Sequence, residues 1–141
     1  MAEILSELAA WIADNVSGIT IFDGSTQVGN LHITSLPDSD TGLEEALTLA
    51  YDGGVEPGGV RGKYKQRLVF VGRMAASETK VRACYDWIAT RGGTQTYPTG
   101  CSLTTFEVQR FRMFGEPVFA VDPETGADWW SFNFEITYYR Q

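Results

Sequence analysis

The last thirteen residues, Trp129 to Gln141, constrain the fold more than any other stretch of the chain. Trp130, Phe132, Phe134, Ile136 and Tyr138 alternate with Ser131, Asn133, Glu135 and Thr137. A period of two puts one set on each face of a β-strand, and no helix satisfies it. Upstream, Pro117-Val118-Phe119-Ala120-Val121 leads into Asp122-Pro123-Glu124-Thr125-Gly126, whose Pro, acidic and Gly residues suit a turn. Together these segments predict a long terminal hairpin. Its apolar row needs a core to pack against, whereas Trp129 and Tyr139 fall on the opposite, polar side. Large aromatics there suggest a surface built to meet a partner.

The rest of the chain offers that core. Residues 3–16 carry Ile4, Leu5, Leu8, Trp11, Ile12 and Val16 at the spacing of one helix face, with Asn15 and Gly18 as a stop. Ile19 to Phe22 is a short apolar run, either a strand or an extended lead-in. Leu31-His32-Ile33-Thr34 is a short strand candidate closed by Pro37. Ala46 to Tyr51 is open to two readings. Leu47, Leu49 and Tyr51 would share a strand face, while Glu44-Glu45-Ala46-Leu47 alone favours a helix. Gly53, Gly54, Gly58, Gly59 and Gly62 crowd around Pro57, which predicts a flexible loop without regular structure over 53–62.

A strand follows, with Tyr64, Leu68, Phe70 and Met74 on one face and Arg61, Lys63, Lys65, Arg67 and Arg73 on the other. Ser77 offers an N-cap to a helix with the stripe Val81, Cys84, Tyr85 and Ile88. Arg91 suits its C-terminal dipole, and Gly92-Gly93 its end. In Leu103 to Phe114, Phe106 and Val108 share one parity and Phe111 and Met113 the other, so a β-bulge near Gln109-Arg110 is required. The order of elements predicts a single α+β domain over 1–141. Two helices should pack on one face of a mainly antiparallel sheet.

A chain of 141 residues can bury a substantial core, and no apolar run approaches the length of a membrane span. Acidic residues in Met-Ala-Glu-Ile-Leu-Ser-Glu, where a secretory signal is basic, point to a protein made in the cytosol. A net charge of −7 argues against a surface that grips nucleic acid, which requires phosphate neutralisation. Cys84 and Cys101 are too few for a disulfide scaffold and read as thiols of a reducing compartment.

Catalytic and metal motifs fail on spacing. Gly62-Lys63 would need Gly at Pro57 and Ser or Thr at Tyr64 to form a phosphate loop. Asp38-Ser39-Asp40-Thr41-Gly42 has its Gly one place early for a calcium loop, with Leu49 at the position that requires Glu. Asp122, Glu124 and Asp128 gather around a turn, and a solvated hairpin tip explains them more simply than a metal. His32 is the only histidine, with no nucleophile elbow to serve, and reads as a packed strand residue. No catalytic, cofactor or metal site is expected.

The basic stripe stands out instead. Arg61, Lys63, Lys65, Arg67 and Arg73 hold five of the eleven Lys and Arg residues of an otherwise acidic chain. They either pair with a neighbouring subunit's acids, for example Asp38, Asp40, Glu44 and Glu45, or form a solvated face that discourages aggregation.

Four blocks in sequence carry a wider likeness. They are the amphipathic helix with Leu5, Leu8, Trp11 and Ile12; Leu36-Pro37-Asp38 through Leu47-Thr48-Leu49-Ala50-Tyr51-Asp52-Gly53-Gly54; Arg67-Leu68-Val69-Phe70-Val71-Gly72-Arg73 through Cys84-Tyr85-Asp86-Trp87-Ile88; and Phe114-Gly115-Glu116-Pro117 through the turn to Phe132-Asn133-Phe134-Glu135-Ile136. In this order the chain resembles the tail terminator family of long-tailed bacteriophages, often described as minor capsid proteins. It departs from that family where Ala127 and Asp128 follow the hairpin Gly in place of a basic residue, and in a longer Gly-rich loop.

The resemblance implies a structural virion protein at the head-proximal end of the tail, made in the host cytoplasm. It implies a homo-oligomer, a hexameric ring that caps the tail tube, ends its polymerisation and docks to the neck or head-completion protein. DNA would pass through the lumen without specific binding, and no membrane is involved. The Asp38, Asp40, Glu44 and Glu45 group, the basic stripe, Trp129 and Tyr139 are then the candidate contact residues. Another neck or tail-completion protein of the same virion is the nearest alternative. A small cytosolic enzyme or ligand-binding domain is the more distant one.

Overall fold

A computed structural model describes residues 4–21, 30–33, 46–53, 56–57, 62–91, 101 and 103–140, with backbone alone at 56–57. The elements are α1 (Ile4–Asn15), β1 (Leu31–Ile33), β2 (Leu47–Tyr51), β3 (Glu56–Pro57), β4 (Lys63–Arg73), α2 (Glu78–Thr90), β5 (Phe106–Met113), β6 (Val118–Val121) and β7 (Asp128–Arg140). A 3-10 turn, Ala75–Ser77, joins β4 to α2. The seven strands form one sheet in the order β1-β2-β4-β7-β5, with β3 beside β4 and β6 beside β7. Only β1 and β2 pair in parallel among the named strands, and an isolated parallel bridge joins Ile21 to Leu31. The fold is α+β.

Two long strands organise everything else. β4 and β7 pair antiparallel from Lys63 opposite Tyr139 to Arg73 opposite Trp129. Unbroken register keeps Leu68 and Phe70 on the same face as Phe132, Phe134 and Ile136, all 2% exposed or less. Phe70 stacks on Phe132 at 5.2 Å, and Tyr85 of α2 meets Phe132 edge-on at 5.4 Å. Gln66 interrupts this row yet is buried, because its Nε2 donates to Gly53 O at 3.0 Å and Arg67 O at 3.1 Å.

Both helices cover this one face. α1 buries Ile4, Leu5, Leu8, Ala9 and Ile12, one stripe at helical spacing. Asn15 Nδ2 donates to Trp11 O at 2.8 Å, and Gly18 takes a φ of 84° just past the helix end. α2 buries Val81, Cys84 and Ile88. Trp11 ties the layers together, 5.8 Å from Trp87 of α2 and 5.6 Å from Phe111 of β5.

The expected bulge is present. Register shifts between Val108 and Arg110, so Val108 faces Tyr138 and Phe111 faces Ile136, both pairs on the core side. The hairpin is also present, β6 pairing with β7 from Val118–Ser131 to Val121–Asp128. Residues 46–51 resolve in favour of the strand, whose pairing to β4 outweighs local helix propensity.

Three expectations need correction. Residues 53–62 are not free of regular structure, since Glu56 and Pro57 pair with Lys65 and Tyr64. A proline is tolerated there because β3 bonds to β4 on one side only. Met74 is not part of the core row. The strand ends at Arg73, and Met74 turns the chain with a φ of 66°, its side chain 39% exposed. Ser77 stands at the N-cap position of α2 but does not cap it, because its hydroxyl donates to Met74 O at 2.8 Å. Arg91 is the C-cap of α2, at the end its dipole favours, and also stacks over Trp87, 3.9 Å from the ring centroid.

Candidate interaction surface

With both helices on one side, the other face of the sheet carries the residues of opposite parity. On β4 these are Lys63, Lys65, Arg67, Val69, Val71 and Arg73; on β7, Trp129, Ser131, Asn133, Glu135, Thr137 and Tyr139. The predicted stripe is therefore one physical face for Lys63, Lys65, Arg67 and Arg73. Arg61, Asp38, Asp40, Glu44 and Glu45 lie outside the described residues.

The bulge adds two cations to the predicted stripe. Once Phe111 and Met113 turn inward, Arg110 and Arg112 turn outward, opposite Thr137 and Glu135. The same parity switch that demanded a bulge was the signal for them. Six of the eleven Lys and Arg residues thus share this face. Among the described residues its carboxylates are Asp52, Glu107 and Glu135.

The centre of the face is specific in its contacts. Phe114, 42% exposed, lies beneath two guanidiniums, Arg67 and Arg112, each 5.3 Å from its ring centroid. Arg67 Nε is 4.0 Å from Glu135 Oε2, with the Arg67 side chain 60% exposed. Glu135 is buried, but at that separation the contact is loose and leaves the exposed guanidinium available to another acid. Arg73 differs, since its Nη1 is buried without a hydrogen-bond partner among the described residues.

Trp129 and Tyr139 do lie on this face, both half-buried, but not together. Trp129 pairs with Arg73 at one end of β7 and Tyr139 with Lys63 at the other, the Lys63 ammonium 5.9 Å from the Tyr139 ring. Ten residues of strand separate them by about 33 Å. They mark the two ends of the face rather than one patch.

The hairpin reaches past the end of the sheet. The last β4–β7 pair is Arg73–Trp129, whereas β6 and β7 continue to Val121–Asp128 and a tip at 122–127. Gly126, with a φ of 75°, donates its N–H to Asp122 O at 2.8 Å, and Asp122 N donates to Ala127 O at 2.7 Å. Glu124 N donates to Asp122 Oδ1 at 2.9 Å, a bond that holds the Asp122 carboxyl below its usual range. Val118, Phe119 and Val121 are 61%, 39% and 52% exposed, an unusual concentration of apolar surface on a four-residue edge strand.

Other chemistry-bearing side chains are packed rather than displayed. His32 is buried on β1, which lowers its pKa. Cys84 and Cys101 are buried thiols, and burial pushes each up to about 12. Among the described residues no helix is long and apolar enough to cross a membrane. No protein-family model matches this chain, and no curated protein does.

Proposed function

We propose that the chain is a non-enzymatic virion protein of the tail terminator type. It assembles as a homo-oligomeric ring, a hexamer by the resemblance, on the end of a tail tube. There it stops tube growth and offers a docking surface to the neck. The observation that carries this reading is the one-sided sheet. Six cations and exposed aromatic surface gather on the face opposite both helices in a chain of net charge −7. A ring needs a heterologous interface, in which unlike patches of successive copies meet. A basic face on an acidic protein is half of such a pair. Arg and aromatic side chains in contact are also the residue types that dominate interface energetics.

The net negative charge suits a channel for DNA, because acidic walls release no condensed counterions and give DNA nothing to hold. The tail tube protein and a neck or head-completion protein are the axial partners on this reading.

Electron microscopy of the purified protein, alone and with its tube protein, tests it. Six-fold rings, or tubes of fixed length closed by a terminal density, are the expected result. A protein that stays monomeric in both preparations and never caps a tube sinks the proposal.

A further inference from the structure

The hairpin and the open sheet face are complementary in charge. Residues 116–128 contain four acids (Glu116, Asp122, Glu124 and Asp128) and no Lys or Arg. The Glu78 hydrogen bond is the main cause of the raised Arg82 pKa and nearby Glu116 adds to it, so the acids left for a partner are those at and beside the tip. The open face offers Lys65, Arg67, Arg110 and Arg112 around Thr137 and Glu135.

The two regions cannot meet within one molecule. Asp128 and Glu135 are seven positions apart along the straight ladder of β7, roughly 23 Å, and the tip points away from the face's centre. The exposed apolar residues of β6 sit between the acids and supply surface that gains by being covered.

We propose that the β6–β7 hairpin of one copy docks on the basic open face of the next. Asp122, Glu124 and Asp128 approach Lys65, Arg110 and Arg112, and Val121, on the same face of the hairpin as Asp128, covers Phe114. The contact is head to tail, so each copy keeps one free hairpin and one free face until the chain of contacts closes. This rests on the ring reading above and assigns its subunit interface. A second copy is favoured over nucleic acid as occupant. The acids and the cations belong to the same chain, and the overall charge repels a polyanion.

Charge reversal separates the outcomes. Glu124→Lys with Asp128→Lys reverses the tip, and Lys65→Glu with Arg110→Glu reverses the face. Circular dichroism and thermal melts check that each variant folds. By sedimentation velocity at low salt, with the tube protein added where the wild type needs it, each variant alone should associate on the order of 10–100-fold more weakly. Mixing the two variants should restore assembly, because every hairpin then finds a face of opposite charge. Rings that neither reversal weakens, or an open face that captures duplex DNA in a salt-dependent way, overturn this contact and leave the ring reading standing. A wild type that forms no ring and caps no tube overturns both.

Discussion

Asn133 donates its side-chain amide to Asp52 Oδ2 at 2.7 Å, joining residues 81 positions apart. Asp52 lies just past β2, where its N–H donates to Arg67 O at 2.9 Å, and Asn133 lies on β7 opposite Val69. The bond therefore reaches across the intervening β4 and pins the end of β2 to the last strand. A hydrogen bond to a carboxylate at a surface site contributes about 1–2 kcal/mol. Asn133→Ala and Asp52→Ala should each lower unfolding free energy by that amount. In a double-mutant cycle the pair should lose little more than either single change, and denaturant unfolding measures it. Fully additive losses would show that the bond carries no coupling.

Gly72 is a second constraint, of close approach rather than backbone conformation. A Cβ there would fall on Val81 Cγ2 and within 2.9 Å of Ser77 Cβ. Glycine at this point lets α2 lie against β4. Gly72→Ala should cost about 1–3 kcal/mol by overpacking. Adding Val81→Ala should return part of that loss by making room, even though Val81→Ala alone destabilises. A fully stable Gly72→Ala, by urea unfolding, would contradict the packing described.

These two relationships mark the limit of what could be read in the sequence. The terminal strand, the hairpin and the bulge near Gln109 were legible because each is a local parity statement. Phe106 and Val108 against Phe111 and Met113 admits few other readings. The basic face was legible along β4 for the same reason. Carrying the parity switch one step further would have added Arg110 and Arg112. What could not be read depends on which strands become neighbours. Asp52 meeting Asn133 needs the β2-β4-β7 order, and Gly72 needs the path of α2 over the sheet. Ser77 shows the same limit, since its hydroxyl serves Met74 O because a 3-10 turn precedes the helix.

Trp129 and Tyr139 stood out together as surplus aromatics, and their places at opposite ends of β7 predict independence. Trp129 neighbours Arg73, and Tyr139 neighbours Lys63. Sites more than about 10 Å apart without shared partners add. Trp129→Ser and Tyr139→Ser should therefore combine additively, within about 0.5 kcal/mol, in unfolding experiments on the monomer. A larger coupling would mean that the strand transmits strain along its length.

The cysteines give a prediction in pH. Both thiols are buried, with pKa raised from 9.0 to about 12. At pH 8 only about one thiol in ten thousand would be thiolate in the native protein, so a disulfide reagent should react with neither until the chain is unfolded. The sign of the stability effect follows from proton counts. Between pH 9.0 and about 12 the unfolded chain has released thiol protons that the native chain still holds. The thiol contribution is thus complete below pH 9.0 and is lost as pH rises toward 12, at up to about 1.4 kcal/mol per unit for each thiol. Tyr138, whose pKa burial also raises, acts in the same direction from 10.0 upward. Urea midpoints at pH 8 and pH 10 should therefore fall less steeply in a Cys84→Ala, Cys101→Ala variant than in the parent. Equal slopes would show that the thiols contribute nothing to the alkaline loss.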